Sequence, residues 1–552
     1  MEHDLQDYQL PEMLRVGIED LVLQILILDL GEPTTFLRKA LNPPSNLAMS
    51  NSLKLLETLG AIECKWQQGQ GKRALVTEIR EIKSDPDGES AEESLLVSSE
   101  LTALGFHLAT LPVDPRVGKM MIYGSLFGCV DPALTIAASM SARSPFVSPF
   151  DKRDAADEAR KNFATQGSDH LTILNAFEQW KKVLNDKRNR KLTNKEVQTF
   201  LHENFLSRLT LNQMEDLRKQ FAELLTEIGF LPKGFRLNKV NGIDDAGTDI
   251  SISPENVNAS NIGLLKAVLC AGLYPNIIVA PRTLVRDNTG KTNNNNKKQV
   301  GECAFQSHTK GEVYLHPSTI NFEETLLDSR YCCFHELVKT SKTYVRDCTT
   351  VSPFSLLLFG GALEVYHRHG VCSVDGWLKF RIAAKTASLI KHLRSQMEKI
   401  LFEKIISPEK DVITGTPEGV ALIQSISTLF WEDQRSRVVA PSDRSGGEIV
   451  RPWTGMADEN SNSNNNNKIR NSNRTGRGRG RRQEQQQQTR RNDDNTNANT
   501  NTSTHRDNSN NNNQEQNEGG NSRGGGRGRG GRGGGGIGGR VGGRGSRRGG
   551  GR

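Results

Sequence analysis

No apolar run in this 552-residue sequence approaches the roughly 20 residues needed to cross a bilayer as a helix. The most apolar stretch, residues 21–30, is interrupted by Gln24 and Asp29. Met1 is followed by Glu-His-Asp rather than by basic and then apolar residues, so no secretory leader is expected. Cys64, Cys129, Cys270, Cys303, Cys332, Cys333, Cys348 and Cys372 are scattered, with no Cys-x-x-Cys pair. That pattern argues against a zinc site or disulfide framework and for reduced thiols in an intracellular, soluble protein. Cys332 and Cys333 would face opposite sides of a strand. His367, His369 and Cys372 are too weak a cluster to predict a metal.

Enzyme chemistry is also missing. A phosphate cradle needs Gly-x-x-x-x-Gly-Lys-[Ser/Thr], because backbone amides and one lysine hold the phosphates. The nearest pattern, Gly242 to Gly247, continues Thr248-Asp249 in an acidic linker. No Asp-Glu-Ala-His segment, Gly-x-Ser-x-Gly elbow or His-Glu-x-x-His pair occurs. We therefore assign no catalytic residue, metal or cofactor to these residues.

Charge is unevenly distributed. From Arg451 onward there are 20 Lys/Arg against 8 Asp/Glu, whereas residues 1–450 have 52 against 56. The basic character belongs to the tail and points to a polyanionic partner. Asn tracts, Gln485–Gln488 and Gly-rich repeats make that tail too polar to build a core, and it is expected to be disordered.

Ahead of it, Ile18, Leu21, Val22, Ile25 and Leu28 have helical spacing. Pro33 opens a second short helix, and a third runs from Ser45 to Gly60. Ala61–Trp66 and Arg73–Thr77 would form a wing around a Gly69–Gly71 turn, giving a winged-helix module. Ser84–Glu93 reads as a loop. Lys119–Phe127, Pro132–Ser141, Asp151–Phe163, His170–Leu184 and Leu211–Ile228 read as helices. Ser168-Asp169 offers an N-cap, His170 is expected to be held by packing, and Phe177 and Trp180 share a core face.

Asn238–Asn258 reads as a linker. After the helix Ile262–Leu273, strands are expected at Asn276–Ala280, Gln299–Ala304, Glu312–Leu315, Tyr331–Lys339, Thr343–Thr349, Leu363–Tyr366 and Trp377–Ile382, closing a small barrel. Asn288–Lys298 would be a loop between strands. Lys385–Lys404 is expected to be the final helix.

Several long segments resemble the helicase-associated region of DEAH-box RNA helicases. They include YQLPEMLRVGIEDLVLQILILDLG at 8–31, LTALGFHLATLPVDPRVGKMMIYGSLFGCVDPALTIAASMSARSPFVSP at 101–149 and SDHLTILNAFEQW at 168–180. FLSRLTLNQMEDLRKQF at 205–221, AVLCAGLYPN at 267–276, VYLHPSTIN at 313–321 and LVKTSKTYVRDCTTVSPFSLLLFGG at 337–361 continue in the family's order. The subgroup containing the G-quadruplex-resolving helicase and nuclear RNA helicase A is the most similar. The resemblance implies a multidomain α+β protein. Its parts would be a winged helix at 1–100, a ratchet-like helical bundle at 101–245 and an OB-fold at 260–405. A C-terminal extension at 406–450 and a disordered tail at 451–552 would follow. In that family two motor domains precede this region. A gene-model fragment, a truncated product and a subunit served by a motor in trans all remain open. ATP and magnesium are expected only for a full-length relative.

The resemblance also places a nucleic-acid-contacting hairpin at Lys339, Thr340, Ser341, Lys342, Thr343, Tyr344, Val345 and Arg346. Basic, hydroxyl and aromatic groups there suit a single strand, and alternation would put Lys342, Tyr344 and Arg346 on one face. Asp347 makes this surface less purely basic. His316-Pro317-Ser318 also fits the family pattern, and a strand-ending turn is its expected role. In the tail, Arg477, Arg479, Arg481, Arg482, Arg523, Arg527, Arg529, Arg532, Arg540 and Arg544 lie among glycines, with no acidic residue after Glu518. Guanidinium groups on a flexible chain can bridge phosphates or stack on bases. The expected partner is single-stranded or structured RNA, G-quadruplexes included, with DNA, a motor or ribonucleoprotein partners as further candidates and no membrane. A nuclear or cytoplasmic location fits both. The competing reading is a protein-interaction scaffold that regulates a motor.

Overall fold

Ser45 and Gly60 bracket one helix in the computed structural model, which describes residues 11–68, 80–84, 91–188, 192–237, 253–285, 299–413, 415–438 and 450–452. Ser45 Oγ accepts the Ala48 N–H at 3.1 Å, and Gly60 stops the helix in the left-handed region at φ 75°. This helix, α3 (Asn46–Leu59), follows α1 (Glu19–Ile27) and α2 (Pro33–Leu37). Val22, Ile25, Leu53 and Leu56 bury the helices against one another.

An antiparallel sheet follows, of β1 (Ile62–Gln68), β2 (Arg80–Ser84) and β3 (Ala91–Leu101) in the order β1-β3-β2. The sequence-predicted second wing strand, Arg73–Thr77, and the Gly69–Gly71 turn lie outside the described residues. The loop expected at Ser84–Glu93 is partly sheet, with Ser84 paired to Ala91 and Ile82 to Glu93. Backbone pairing makes these strands, and their polar sequence has no apolar alternation to announce it.

Seven helices come next: α4 (Ala103–Thr110), α5 (Pro115–Leu126), α6 (Val130–Ser141), α7 (Arg153–Lys161), α8 (Asp169–Arg188), α9 (Asn194–Glu203) and α10 (Arg208–Glu227). The expected helices are all present. Helices α4 and α9 went unread, although Thr193 and Glu196 form a capping box before α9. Phe177 and Trp180 are both buried, ring centroids 5.5 Å apart.

Helix α11 (Ile262–Leu273) occupies the expected residues, and every residue from Gly263 to Leu273 is buried. An all-round apolar helix must be enclosed. It packs chiefly against α5.

The barrel comprises β4 (Ile277–Val279), β5 (Phe305–Ser307), β6 (Gly311–Leu315), β7 (Tyr331–Lys339) and β8 (Thr343–Val351), closed in the order β4-β5-β6-β8-β7. Only the β6–β8 pairing is parallel. Ile278, Phe305, Val313, Leu315, Cys332, Phe334, Val345 and Cys348 fill its interior. Cys333 faces the other core, as adjacent strand positions require.

Helix α12 (Pro353–Phe359) leads to β9 (Leu363–Tyr366), β10 (Val371–Val374), β11 (Leu378–Ile382), α13 (Ala384–Ile406), α14 (Pro417–Val438) and β12 (Val450–Pro452). Three expectations change here. Leu363–Tyr366 and Trp377–Ile382 belong to a second sheet, ordered β12-β11-β10-β9, rather than to the barrel. Gln299–Ala304 contains a short 3-10 turn, with the strand immediately after it. Helix α13 is not the last, because α14 packs on α11 and α13. The Asn288–Lys298 loop and most of the 238–258 linker lie outside the described residues.

A β-carbon at Gly272 of α11 would sit 2.6 Å from Met120 Cβ and 2.8 Å from Arg116 O on α5. Gly272→Ala is expected to cost about 1–3 kcal/mol, the usual range for overpacking. Thermal unfolding of both proteins checks this, and an unchanged midpoint would contradict the close α5–α11 approach.

Candidate nucleic-acid interface

The hairpin expected from sequence is β7–β8. Lys339 pairs with Thr343, and Val338 with Tyr344. The Thr340 N–H donates to Lys342 O at 3.0 Å and closes the turn. Lys339, Thr340, Ser341 and Lys342 form an exposed tip, while Tyr344 and Arg346 are half-buried on the barrel. Val345 points into the barrel core, which sends Tyr344 and Arg346 outward as strand alternation requires.

The parallel neighbour β6 and the residue that follows it supply two more aromatic rings. Tyr314 lies opposite Tyr344, with centroids 6.5 Å apart. The Lys342 ammonium sits 4.0 Å from the Tyr314 ring centroid, a cation–π arrangement. The His316 ring meets Tyr344 edge-on at 6.1 Å, and its Nε2 is 3.5 Å from Arg346 Nη2. Lys342, Tyr344 and Arg346 thus share one face, with Tyr314 and His316 among them. The His316 backbone N–H donates to Val345 O at 2.9 Å, and its Nδ1 accepts the Ser318 N–H at 3.1 Å. His316 is therefore the strand-ending turn expected from sequence and part of this surface as well. Burial, and then the Arg346 charge, push the His316 pKa down.

One acidic neighbour is close. Glu336 pairs across the hairpin with Arg346 and lies 3.7 Å from it, both side chains being about half exposed. An ion pair this exposed is worth about 0–1 kcal/mol and leaves the arginine able to exchange partners. Asp347 has φ 51°, and its charge acts on His335 of β7 and on His170 of α8.

The hairpin is anchored from below. Strand β6 leaves β8 after Leu315, which opens an edge of β8. Residues 167–169 cover it. Gly167 O accepts the Thr350 N–H at 3.1 Å, and the Asp169 carboxylate accepts the Cys348 N–H at 2.9 Å. Asp169 also accepts the Ile320 N–H at 3.0 Å and Arg160 Nη2 at 2.9 Å. Gly167 has φ 64°, and a β-carbon there would lie 3.0 Å from Thr350 Oγ1 and 3.2 Å from Asn321 Oδ1. Glycine suits that turn, where any side chain would be strained and crowded.

Ser168 Oγ caps α8 by accepting the Leu171 N–H at 3.1 Å, and lies 2.7 Å from Thr349 Oγ1. His170 Nδ1 lies 2.8 Å from the same hydroxyl. His170 is buried at this junction, a packing role as the sequence suggested.

Three family models match, in chain order. They are a helicase associated domain (HA2), ratchet-like, over residues 114–173, an oligonucleotide/oligosaccharide-binding (OB)-fold over 265–363, and a C-terminal domain in RNA helicases over 370–432. The chain is 36% identical to the DExH-box ATP-dependent RNA helicase DExH1 of Arabidopsis thaliana over 428 residues, 77% of this chain and 35% of that protein. It is 37% identical to the ATP-dependent DNA/RNA helicase DHX36 of Homo sapiens over 408 residues, 73% of this chain and 34% of that protein. It is 34% identical to the ATP-dependent RNA helicase DHX29 of Homo sapiens over 427 residues, 77% and 26% respectively. This chain carries the C-terminal region of the DEAH-box helicases.

The chain spans about a third or less of the length of these relatives. In this DEAH-box region the ratchet-like model covers α5 to α7 and the start of α8, the OB-fold model covers the barrel, and the C-terminal model runs from β10 into α14. The 406–450 extension contains a helix, α14, that the C-terminal model largely covers. Among the described residues no helix is long and apolar enough to cross a membrane. Arg477, Arg479, Arg481, Arg482, Arg523, Arg527, Arg529, Arg532, Arg540 and Arg544 lie outside the described residues. Tyr314 was missed from sequence. Alternation in Glu312–Leu315 turns it outward, but the β6–β8 pairing that brings it beside Tyr344 is a long-range contact.

The junction beneath the hairpin should respond to pH. Burial holds His170 neutral, lowering its pKa from 6.5 to about 4. The unfolded chain then takes up the proton first, so this histidine contributes stability above pH 6.5 that is lost as pH falls towards 4. Burial raises Asp169 from 3.8 to about 6, despite the Arg160 charge. Its slope is opposite: stability present near pH 4 is lost as pH rises through 6. The difference in melting midpoint between the natural chain and His170→Gln isolates the histidine. It is expected to grow in favour of the natural chain from pH 4 to 6.5 and then level off. A constant difference would contradict a neutral buried His170.

Proposed function

We propose that this chain is a nucleic-acid grip: it binds single-stranded RNA along the outer face of β6, β8 and the hairpin tip, within a larger ATP-dependent helicase. The observation that carries this reading is the clustering of Lys342, Tyr314, Tyr344, Arg346 and His316 on one face of an OB barrel. Rings in such a groove stack bases regardless of sequence, and cations between them track phosphates. The relatives' names include RNA helicases and a DNA/RNA helicase, so DNA is the alternative strand. Structured RNA, including G-quadruplexes, belongs to the same reading as a substrate for the complete machine. The three N-terminal helices and the β1-β3-β2 sheet support a winged helix beside the ratchet-like bundle. ATP, magnesium and strand movement belong to motor domains acting with this region.

The arginine–glycine tail adds a second, sequence-tolerant contact, with Arg523, Arg527, Arg529, Arg532, Arg540 and Arg544 as its densest part. A protein-docking role would draw on other residues, since Leu28, Leu30, Phe36, Leu41 and Leu47 of the first module are each exposed.

Filter binding of the full chain to oligouridine tests the grip. Substituting Lys342→Ala, Tyr344→Ala and Arg346→Ala together is expected to weaken binding about ten-fold or more, since one lost base stack alone is worth about 1–3 kcal/mol. Affinity should fall steeply with salt in both proteins, reflecting phosphate contacts. Equal affinity for both proteins would leave the tail as the binding element and overturn the barrel reading.

A further inference from the structure

The β5–β6 turn places His308 flat against Trp377 of the β10–β11 turn, with ring centroids 5.1 Å apart and planes within 9° of parallel. Trp377 is half-buried and packs on the main core, whereas His308 is exposed. The imidazole is stacked with an offset on the indole, and His308 remains exposed. This joins the second sheet to the barrel through two rings, one of them presented to solvent.

Register shows where this pair lies. Strands β6 and β8 run parallel with Tyr314 opposite Tyr344. Because the two strands run in the same direction, the start of β6 at Gly311 and the start of β8 at Thr343, beside the hairpin tip, lie at the same end of the barrel. The 308–310 turn is therefore at the tip end of the β7–β8 hairpin. Lys310 is exposed in that turn, and Lys379 is exposed on β11 just beyond Trp377. The Lys342, Tyr314 and Tyr344 group and the His308–Trp377 stack thus lie toward one end of the barrel, with lysines beside both.

We propose that the outer face of His308, backed by Trp377, is a base-stacking platform that extends the single-strand path from the barrel to the C-terminal sheet. This rests on the barrel reading above and adds a contact to it. A ring already stacked on a tryptophan is held in orientation, so a base can add to it with little ordering cost. Histidine is among the side chains on which unstacked RNA bases settle.

The full chain should be bound to an oligouridine ladder of increasing length carrying 5-iodouridine. Irradiation is expected to cross-link at His308 or Trp377 on long oligomers. His308→Ala should weaken binding of those long oligomers about five-fold or more, the lower end for one lost stack. It should not change binding of oligomers too short to extend beyond the hairpin. His308→Phe should restore the affinity, and both variants should melt like the natural chain. Cross-links confined to Tyr314 and Tyr344, with His308→Ala binding long oligomers normally, would overturn the platform and leave the barrel reading intact. A loss of affinity in His308→Ala that comes with a lowered melting midpoint, affects all lengths equally and gives no cross-link at 308 or 377 would show that the pair only fastens the second sheet, and would also overturn it. If the Lys342, Tyr344 and Arg346 substitutions leave binding unchanged, the barrel reading fails and the platform fails with it.

Discussion

A carboxylate removed from water needs its lone pairs filled, and the Asp169 side chain is completely buried. It is satisfied by Arg160 of α7, by the Ile320 N–H in the segment after β6 and by the Cys348 N–H of β8. Those three partners belong to the helical region and to two parts of the barrel. One side chain therefore fixes where the ratchet-like helices meet the barrel, and it does so directly beneath the hairpin that carries Lys342, Tyr344 and Arg346. Removing one member of such a set strands a buried charge, which is far more costly than losing an exposed ion pair. The half-exposed Arg346–Glu336 pair above it contributes little to the fold.

Helix α11 supplies the second constraint. Its buried length runs into β4 and carries the barrel, while α5 and α14 enclose its sides. Gly263 and Gly272 allow neighbouring backbones to come close, since β-carbons there would lie 2.3 Å from Phe430 O and 2.6 Å from Met120 Cβ. The barrel is thus set on an enclosed helix.

Local signals in the sequence located the elements well where apolar periodicity, caps and prolines agreed. Helix α11 and strand β7 have the residues expected, and Pro33, Ser45 and Gly60 mark helix ends as their chemistry dictates. The misses have physical causes. Strands β2 and β3 are too polar to alternate, and the strand assigned to Gln299–Ala304 begins only at Phe305. The second sheet was folded into the barrel because short strands carry no mark of which sheet they join. The β7–β8 hairpin was legible as a hairpin from its sequence and the family resemblance. Tyr314, the role of Asp169 and the His308–Trp377 stack depend on contacts between distant segments, which one sequence does not display.

Amide hydrogen exchange combined with RNA binding in an Asp169→Asn chain tests the central relation between anchor and hairpin most directly. The Cys348 and Ile320 amides should lose protection, and RNA affinity should fall although every outward-facing hairpin residue is unchanged. Lost protection at those amides with full RNA affinity would contradict the claim that this buried carboxylate positions the binding surface.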